Sequence, residues 1–186
     1  MSEAETLYRE ALEGQRRILV THTLTLITVN NMAGLLQDQG KLSEAKPLYK
    51  EALEGKRCTL GDTHPYTLIS INNLAKVLSE QGKLSESEPL YKEALEGSRR
   101  TLGDLHTDTL TSIDNMARLL QEQGKLSEAE LLYREALEGF RCTLGDRHPD
   151  TLIRIKNLAG LLPAQGKMDE AVPLFKEAKD SGFLAS

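Results

Sequence analysis

The chain has 186 residues, 39% hydrophobic and 27% charged, the balance of a soluble protein with enough apolar content to bury a core. A formal net charge of -5 and a pI near 5.5, with no basic stripe, argue against a nucleic-acid partner, because neutralising phosphates needs a clustered excess of Lys and Arg. No apolar run approaches the roughly 20 residues that span a bilayer, and the opening MSEAETLYRE lacks the basic-then-apolar order of a secretory signal, so the expectation is a cytoplasmic protein with no membrane partner.

Self-similarity organises everything else. Gly40, Gly82, Gly124 and Gly166 sit in a recurring QGK at 42-residue steps, His22, His64, His106 and His148 keep the same step, and Tyr49, Tyr91, Tyr133 and Phe175 follow. Residues 1–20 come first and read as the second helix of a truncated repeat, with no first helix before it. Leu7, Tyr8 and Leu12 would then present an apolar face that a partner, another copy or a missing repeat could cover. Ile18-Leu19-Val20-Thr21 replaces the Leu-Gly-Asp-x of later copies and shortens the opening unit by one residue. Repeats then occupy 21–62, 63–104 and 105–146, and 147–186 holds the last repeat with a tail, DSGFLAS, expected to fray or dock loosely.

Each repeat reads as two helices. The first, such as Tyr66 to Gln81, carries Leu68, Ile71, Leu74, Ala75 and Leu78 at steps of three and four, a single apolar stripe. Pro65 and Pro149, with Asp150 close behind, suit a first helical turn, and Gly82 marks the end. The second helix is expected to start at Ser85 or Ser127, with Glu88 or Glu130 three residues on as the other half of a capping box. Its buried stripe is Leu84, Leu90, Tyr91, Ala94 and Leu95. Pro47, Pro89 and Pro173 fall near its start, where a missing N–H costs little. Gly14, Gly55, Gly97 and Gly139 fall well inside it at up to about 1 kcal/mol each relative to Ala, which favours close backbone approach to the next helix over a break. Pro163 predicts a kink or early stop in the last first helix.

Chemistry of other kinds finds little support. Cys58 and Cys142 lie 84 residues apart, two repeats, too far for a disulfide in a helical stack, so free thiols are expected, buried as small hydrophobes near a helix end. One His per repeat lacks a second ligand at short spacing and suits loop capping better than metal. No Ser, Cys or His has a setting that distinguishes it from its copies, so no catalytic residue, enzyme activity, cofactor or metal site is expected.

Asn73-Leu74-Ala75, then the small Ser87 followed by Tyr91 and Ala94, and again Ala129, Tyr133 and Ala136, resemble the tetratricopeptide pattern. The form with HPDTL, NNLA, QGK and LYKEAL is similar to the 42-residue repeats of kinesin light chains, the extra length relative to the usual repeat falling between Ala94 and Leu110. The resemblance covers nearly the whole chain. It implies an all-α fold, a right-handed α-solenoid of antiparallel helix pairs with about nine helices in a single array over 1–186, and a protein or peptide as partner.

In a solenoid the first helices line a concave wall. If Leu68, Leu74 and Ala75 face the core, Ile69, Asn72, Asn73 and Lys76 turn away from it. The wall then holds a ladder of Asn31, Asn73, Asn115 and Asn157, flanked by Asn30, Asn72, Asp114 and Lys156, and by Gly34, Lys76, Arg118 and Gly160. Asn offers donors and an acceptor, so a row of it can hold an extended peptide backbone whatever its sequence. Lys76, Arg118 and Lys156 against Asp114 suggest a weakly acidic peptide. The resemblance implies the same role, since Asn and basic residues on this wall hold peptide ligands in such repeats. Two alternatives stay open: the Asn side chains fix repeat stacking, or the chain is a structural array that self-associates through its ends or its exposed N-terminal helix.

Overall fold

The computed structural model describes residues 6–8 and 23–181, and all of the regular structure among them is helical. First helices α1 (Thr23–Asp38), α3 (Pro65–Glu80) and α5 (Thr107–Glu122) have 16 residues each. Second helices α2 (Leu42–Leu60), α4 (Leu84–Leu102) and α6 (Leu126–Leu144) have 19. The last repeat pairs α7 (Pro149–Leu161) and a 3-10 turn over Leu162–Gln165 with α8 (Met168–Asp180). Pro163 ends the α-helical part of that first helix early, as its missing N–H demands. Residues 6–8 are helical; the expectations for Leu12, Gly14, His22 and residues 182–186 lie outside the described residues.

Local chemistry explains the helix ends. His64 and His148 hold the extended φ -67, ψ 139 of an N-cap. The imidazole Nδ1 of His64 accepts from the Tyr66 N–H at 3.2 Å, and those of His106 and His148 accept from Asp108 and Asp150 at 3.1 Å. Gly82, with φ 74, closes the turn after α3 in the left-handed region, and the Lys83 N–H reaches back to the Leu78 carbonyl at 2.9 Å. Left-handed glycines recur every 21 residues, from Gly40 through Gly61 and Gly82 to Gly166, alternating between the turn inside a repeat and the loop between repeats.

The capping box does not form. Lys41 and Lys125 occupy the N-cap positions of α2 and α6 and make no side-chain cap bond. The turn is too short for a serine cap: the Lys83 carbonyl takes the Glu86 and Ser87 N–H groups at 3.1 Å, so the helix begins at Leu84, before Ser85. The glutamates bond elsewhere, Glu88 to Lys92 at 2.6 Å and Glu130 to Lys167 at 2.6 Å.

Two compact units divide the chain, Met1–Gly97 and Ser98–Ser186. In the first, Met32, Leu36, Tyr49, Leu53, Leu68, Ile71 and Leu78 form a continuous apolar cluster. Its helices pair antiparallel: Leu26 meets Gly55 at one end of the α1–α2 hairpin, and the Tyr49 hydroxyl donates to Gln37 Oε1 at 3.0 Å at the other. In the second unit, Leu110, Ile113, Tyr133, Phe140, Leu152, Ile155 and Leu158 are buried, and Tyr133 donates to Gln121 at 3.0 Å in the same way.

The interior glycines answer to a different neighbour from the one expected. A Cβ on Gly55, Gly97 or Gly139 would stand 2.4, 2.5 or 2.2 Å from the Cδ2 of Leu26, Leu68 or Leu110. The close approach is therefore to a leucine side chain of the first helix in the same repeat, and the second helix runs on unbroken. Cys58 and Cys142 are free, as expected, but exposed rather than buried. The stripe that buries Lys56 places position 58 about 200° further round the helix.

Candidate interaction surface

Within the first unit α3 packs against α2 before it as well as against its own α4, and within the second α7 packs against α6 before it as well as against α8. Lys56 on α2 donates to Ser70 on α3 at 2.7 Å, and Arg154 on α7 lies over the Phe140 ring of α6 at 4.3 Å. This double packing widens the buried arc. On α3 it takes in Thr67, Ser70 and Asn72 beside Leu68, Ile71, Leu74 and Ala75. Asn72 is 9% exposed and Asp114 8%, so these two face the interior, contrary to the outward orientation that a single stripe implies.

The remaining positions reach the surface to different degrees. In the first unit Asn31 is exposed, while Asn30, Asn73 and Lys76 are half-buried; Lys76 stands 4.0 Å from Glu80, one turn on. In the second, Lys156 is exposed and Asn115, Arg118 and Asn157 are half-buried. Part of the ladder joins successive first helices. Asn73 Nδ2 donates to Asn30 Oδ1 at 3.3 Å, beside the Ser70 hydroxyl at 3.5 Å. Asn157 Nδ2 lies 3.2 Å from both Asp114 carboxylate oxygens, and the Arg154 guanidinium pairs with Asp114 at 3.8 Å.

Burial sets the electrostatics of these groups. It pushes the Asp114 carboxyl up, against the opposing pull of Arg154, the Asn157 hydrogen bond and Arg118. It lowers the ammonium of Lys56. Tyr49 is pushed up to about 12, first by burial and then by the charges of Asp38 and Glu80, so its phenol stays neutral and donates to Gln37.

Asn30, Asn31 and Asn73 come together in the first unit around an open depression of about 440 Å³, whose floor and rim include Gly34, Asp38 and Tyr49. This surface offers amide donors and acceptors beside an aromatic ring and one carboxylate. Among the described residues no group of three His, Cys, Asp or Glu side chains could hold a metal ion, and no helix is long and apolar enough to cross a membrane.

Sequence reasoning passed over a second recurrent feature. Arg57 pairs with Asp62 in its own loop at 3.3 Å and with Glu93 of the next second helix. Arg99 repeats the arrangement with Asp104 and Glu135, and Arg141 with Asp146 at 3.2 Å and Glu177 at 2.7 Å. The signal lay in the 42-residue recurrence of these arginines. Positions 56 and 70, Lys and Ser, likewise become Phe140 and Arg154 two repeats on, both members of a contacting pair changing together.

Comparison with known proteins accords with this architecture. A tetratricopeptide-repeat family model matches residues 1–57, 24–100 and 66–142, and a second matches 115–182. No curated protein sequence matches the chain. The crystal structure of BtubC (BKLC) from P. vanneervenii is similar with a TM-score of 0.80 and 24% identity, over 96% of this chain and 72% of that one. A candidate kinesin light chain from Podosopora anserina with nearly identical TPR-like repeats gives a TM-score of 0.75 and 26% identity, over 97% and 86% of the two chains. A variant of those repeats gives 0.77 and 25%, over 96% and 85%. The fold is typically non-enzymatic. With its repeated helix pairs and these matches over most of its length, the chain belongs to the tetratricopeptide repeat family, whose members generally mediate protein–protein interaction or scaffolding.

Proposed function

We propose that this chain is a cytoplasmic adaptor or scaffold module that holds a short, extended segment of a partner polypeptide against the solvent-facing sides of its first helices. The observation that carries this reading is the depression in the first unit, where three of the Asn residues marked out by sequence converge on open surface. Amides in that arrangement pair with a peptide backbone without reading its sequence. In the second unit Asp114 is buried against Arg154 and Glu122 stands one turn from Arg118, so the exposed Lys156 is the surplus charge among these positions. This supports a weakly acidic segment for that face. Membership of a family that generally mediates protein–protein interaction or scaffolding supports this role.

Asn31→Ala and Asn115→Ala test the reading. Capture of partner proteins by the immobilised chain should fall several-fold with helicity and melting unchanged; lost stability with capture retained would assign these residues to packing. Self-association is a second reading, favoured by Leu7, which is 60% exposed. A sedimentation coefficient independent of concentration would remove it.

A further inference from the structure

We propose that the depression on the first full repeat receives a Lys or Arg side chain of the bound polypeptide, with Asp38 as its counter-charge. This rests on the peptide-binding reading above and gives that site a chemical preference. The argument starts from a difference between copies. One helical turn separates a cation from an acid in Lys76 and Glu80, and the same spacing recurs in Arg118 and Glu122. In the last repeat both are gone, replaced by Gly160 and Ala164. The first full repeat alone keeps the acid without the cation: Gly34 stands where the others carry Lys or Arg, and Asp38 remains.

The geometry shows what this omission leaves. Lys76 Nζ lies 4.0 Å from Glu80, so the intrahelical pair is made in the second full repeat. Asp38 is exposed and enters no ion pair among the described residues. Gly34 leaves room beside the Tyr49 hydroxyl, which would lie 3.4 Å from a Cβ at that position. Gly34 and Asp38 both line the depression, so the missing cation and the vacant volume coincide. Tyr8 and Leu35 supply apolar wall for an aliphatic stem, which suits a side chain that buries methylenes and keeps its charged head in water. Glu80 adds negative potential, since it acts with Asp38 on the Tyr49 phenol, although Lys76 and Gln37 already hold its carboxylate. The amides of Asn31 and Asn73 remain beside the cleft for the main chain of the same peptide.

The test uses the full chain, labelled with nitrogen-15, and blocked peptides Ser-Ala-X-Ala-Ser in which X is Lys, Arg, norleucine or Glu. Lys and Arg peptides should move the amide signals of Asn31, Gly34 and Asp38 and bind about two- to fivefold tighter than the norleucine peptide, the range of an exposed ion pair. High salt should erase that margin. Asp38→Asn should abolish the preference while leaving norleucine binding intact, Asp38→Glu should keep it, and Gly34→Lys, which restores the internal cation, should suppress it. Equal affinity for Lys and norleucine, a preference for Glu, or a margin that survives Asp38→Asn would overturn the charge assignment and leave the peptide-binding reading standing. Failure of all four peptides to bind would overturn both.

Discussion

Replacing Gly139 by Ala sets two opposing effects against each other at one position. Relieving the flexibility of an interior helical glycine contributes up to about 1 kcal/mol in favour of Ala. Against this, the new Cβ would lie 2.2, 2.9 and 3.2 Å from Cδ2, Cδ1 and Cγ of Leu110, so the whole branched end of that side chain must move. Leu110 is 1% exposed, so the shift takes place inside the core, and overpacking of that kind costs about 1–3 kcal/mol. The net expectation is destabilisation by about 1 kcal/mol. Gly160 supplies the control, because a Cβ there meets nothing within 4 Å and Gly160→Ala should stabilise by about 0.5–1 kcal/mol. Urea unfolding followed by circular dichroism separates the two variants through a shift in midpoint at constant slope. Leu110→Ala should also cost about 1 kcal/mol less in the Gly139→Ala background than in the parent, the coupling expected of directly contacting residues. Equal stabilisation by Gly139→Ala and Gly160→Ala would refute the assignment of Gly139 to the Leu110 contact.

Two further outcomes follow from the described geometry. Tyr49 is pushed up to about 12 from an ordinary value of 10.0, so between those limits the unfolded chain loses a proton that the folded chain retains; stability should fall as pH rises through that window, and Tyr49→Phe should flatten the fall in alkaline melting curves. His148→Ala removes the acceptor for the Asp150 N–H and should cost about 0.5–2 kcal/mol in urea unfolding, whereas His148→Asn, which can still cap, should recover most of it.

What the sequence made legible follows from where the controlling contacts lie. The helix pairs, the histidine caps, the glycine stops and the break at Pro163 depend on residues within one turn of each other, and periodicity exposes them. The serine cap failed because the turn geometry around Gly82 decides where the second helix starts, and side-chain preference does not override it. Asn72 and Asp114 were assigned outward because a single stripe ignores the neighbouring repeat: Arg154 and Asn157 of the next first helix cover Asp114. The site was legible as residue types and partly as placement: Asn31 reaches the surface, whereas Asn30 with Asn73 and Asp114 with Asn157 are joined over 43 residues of sequence. Which Asn is free to meet a ligand depends on such links between copies.

The left-handed glycines at 21-residue steps carry a genetic consequence. They divide the described chain into blocks of one length, each a helix with its turn, so an unequal crossover between two copies rejoins helix to helix in phase wherever within the repeat it falls. Array length can then drift without any new turn being invented. Differences such as Gly34 against Lys76 travel with the exchanged block, so the same event that lengthens or shortens the scaffold also reshuffles the order of charges along its surface.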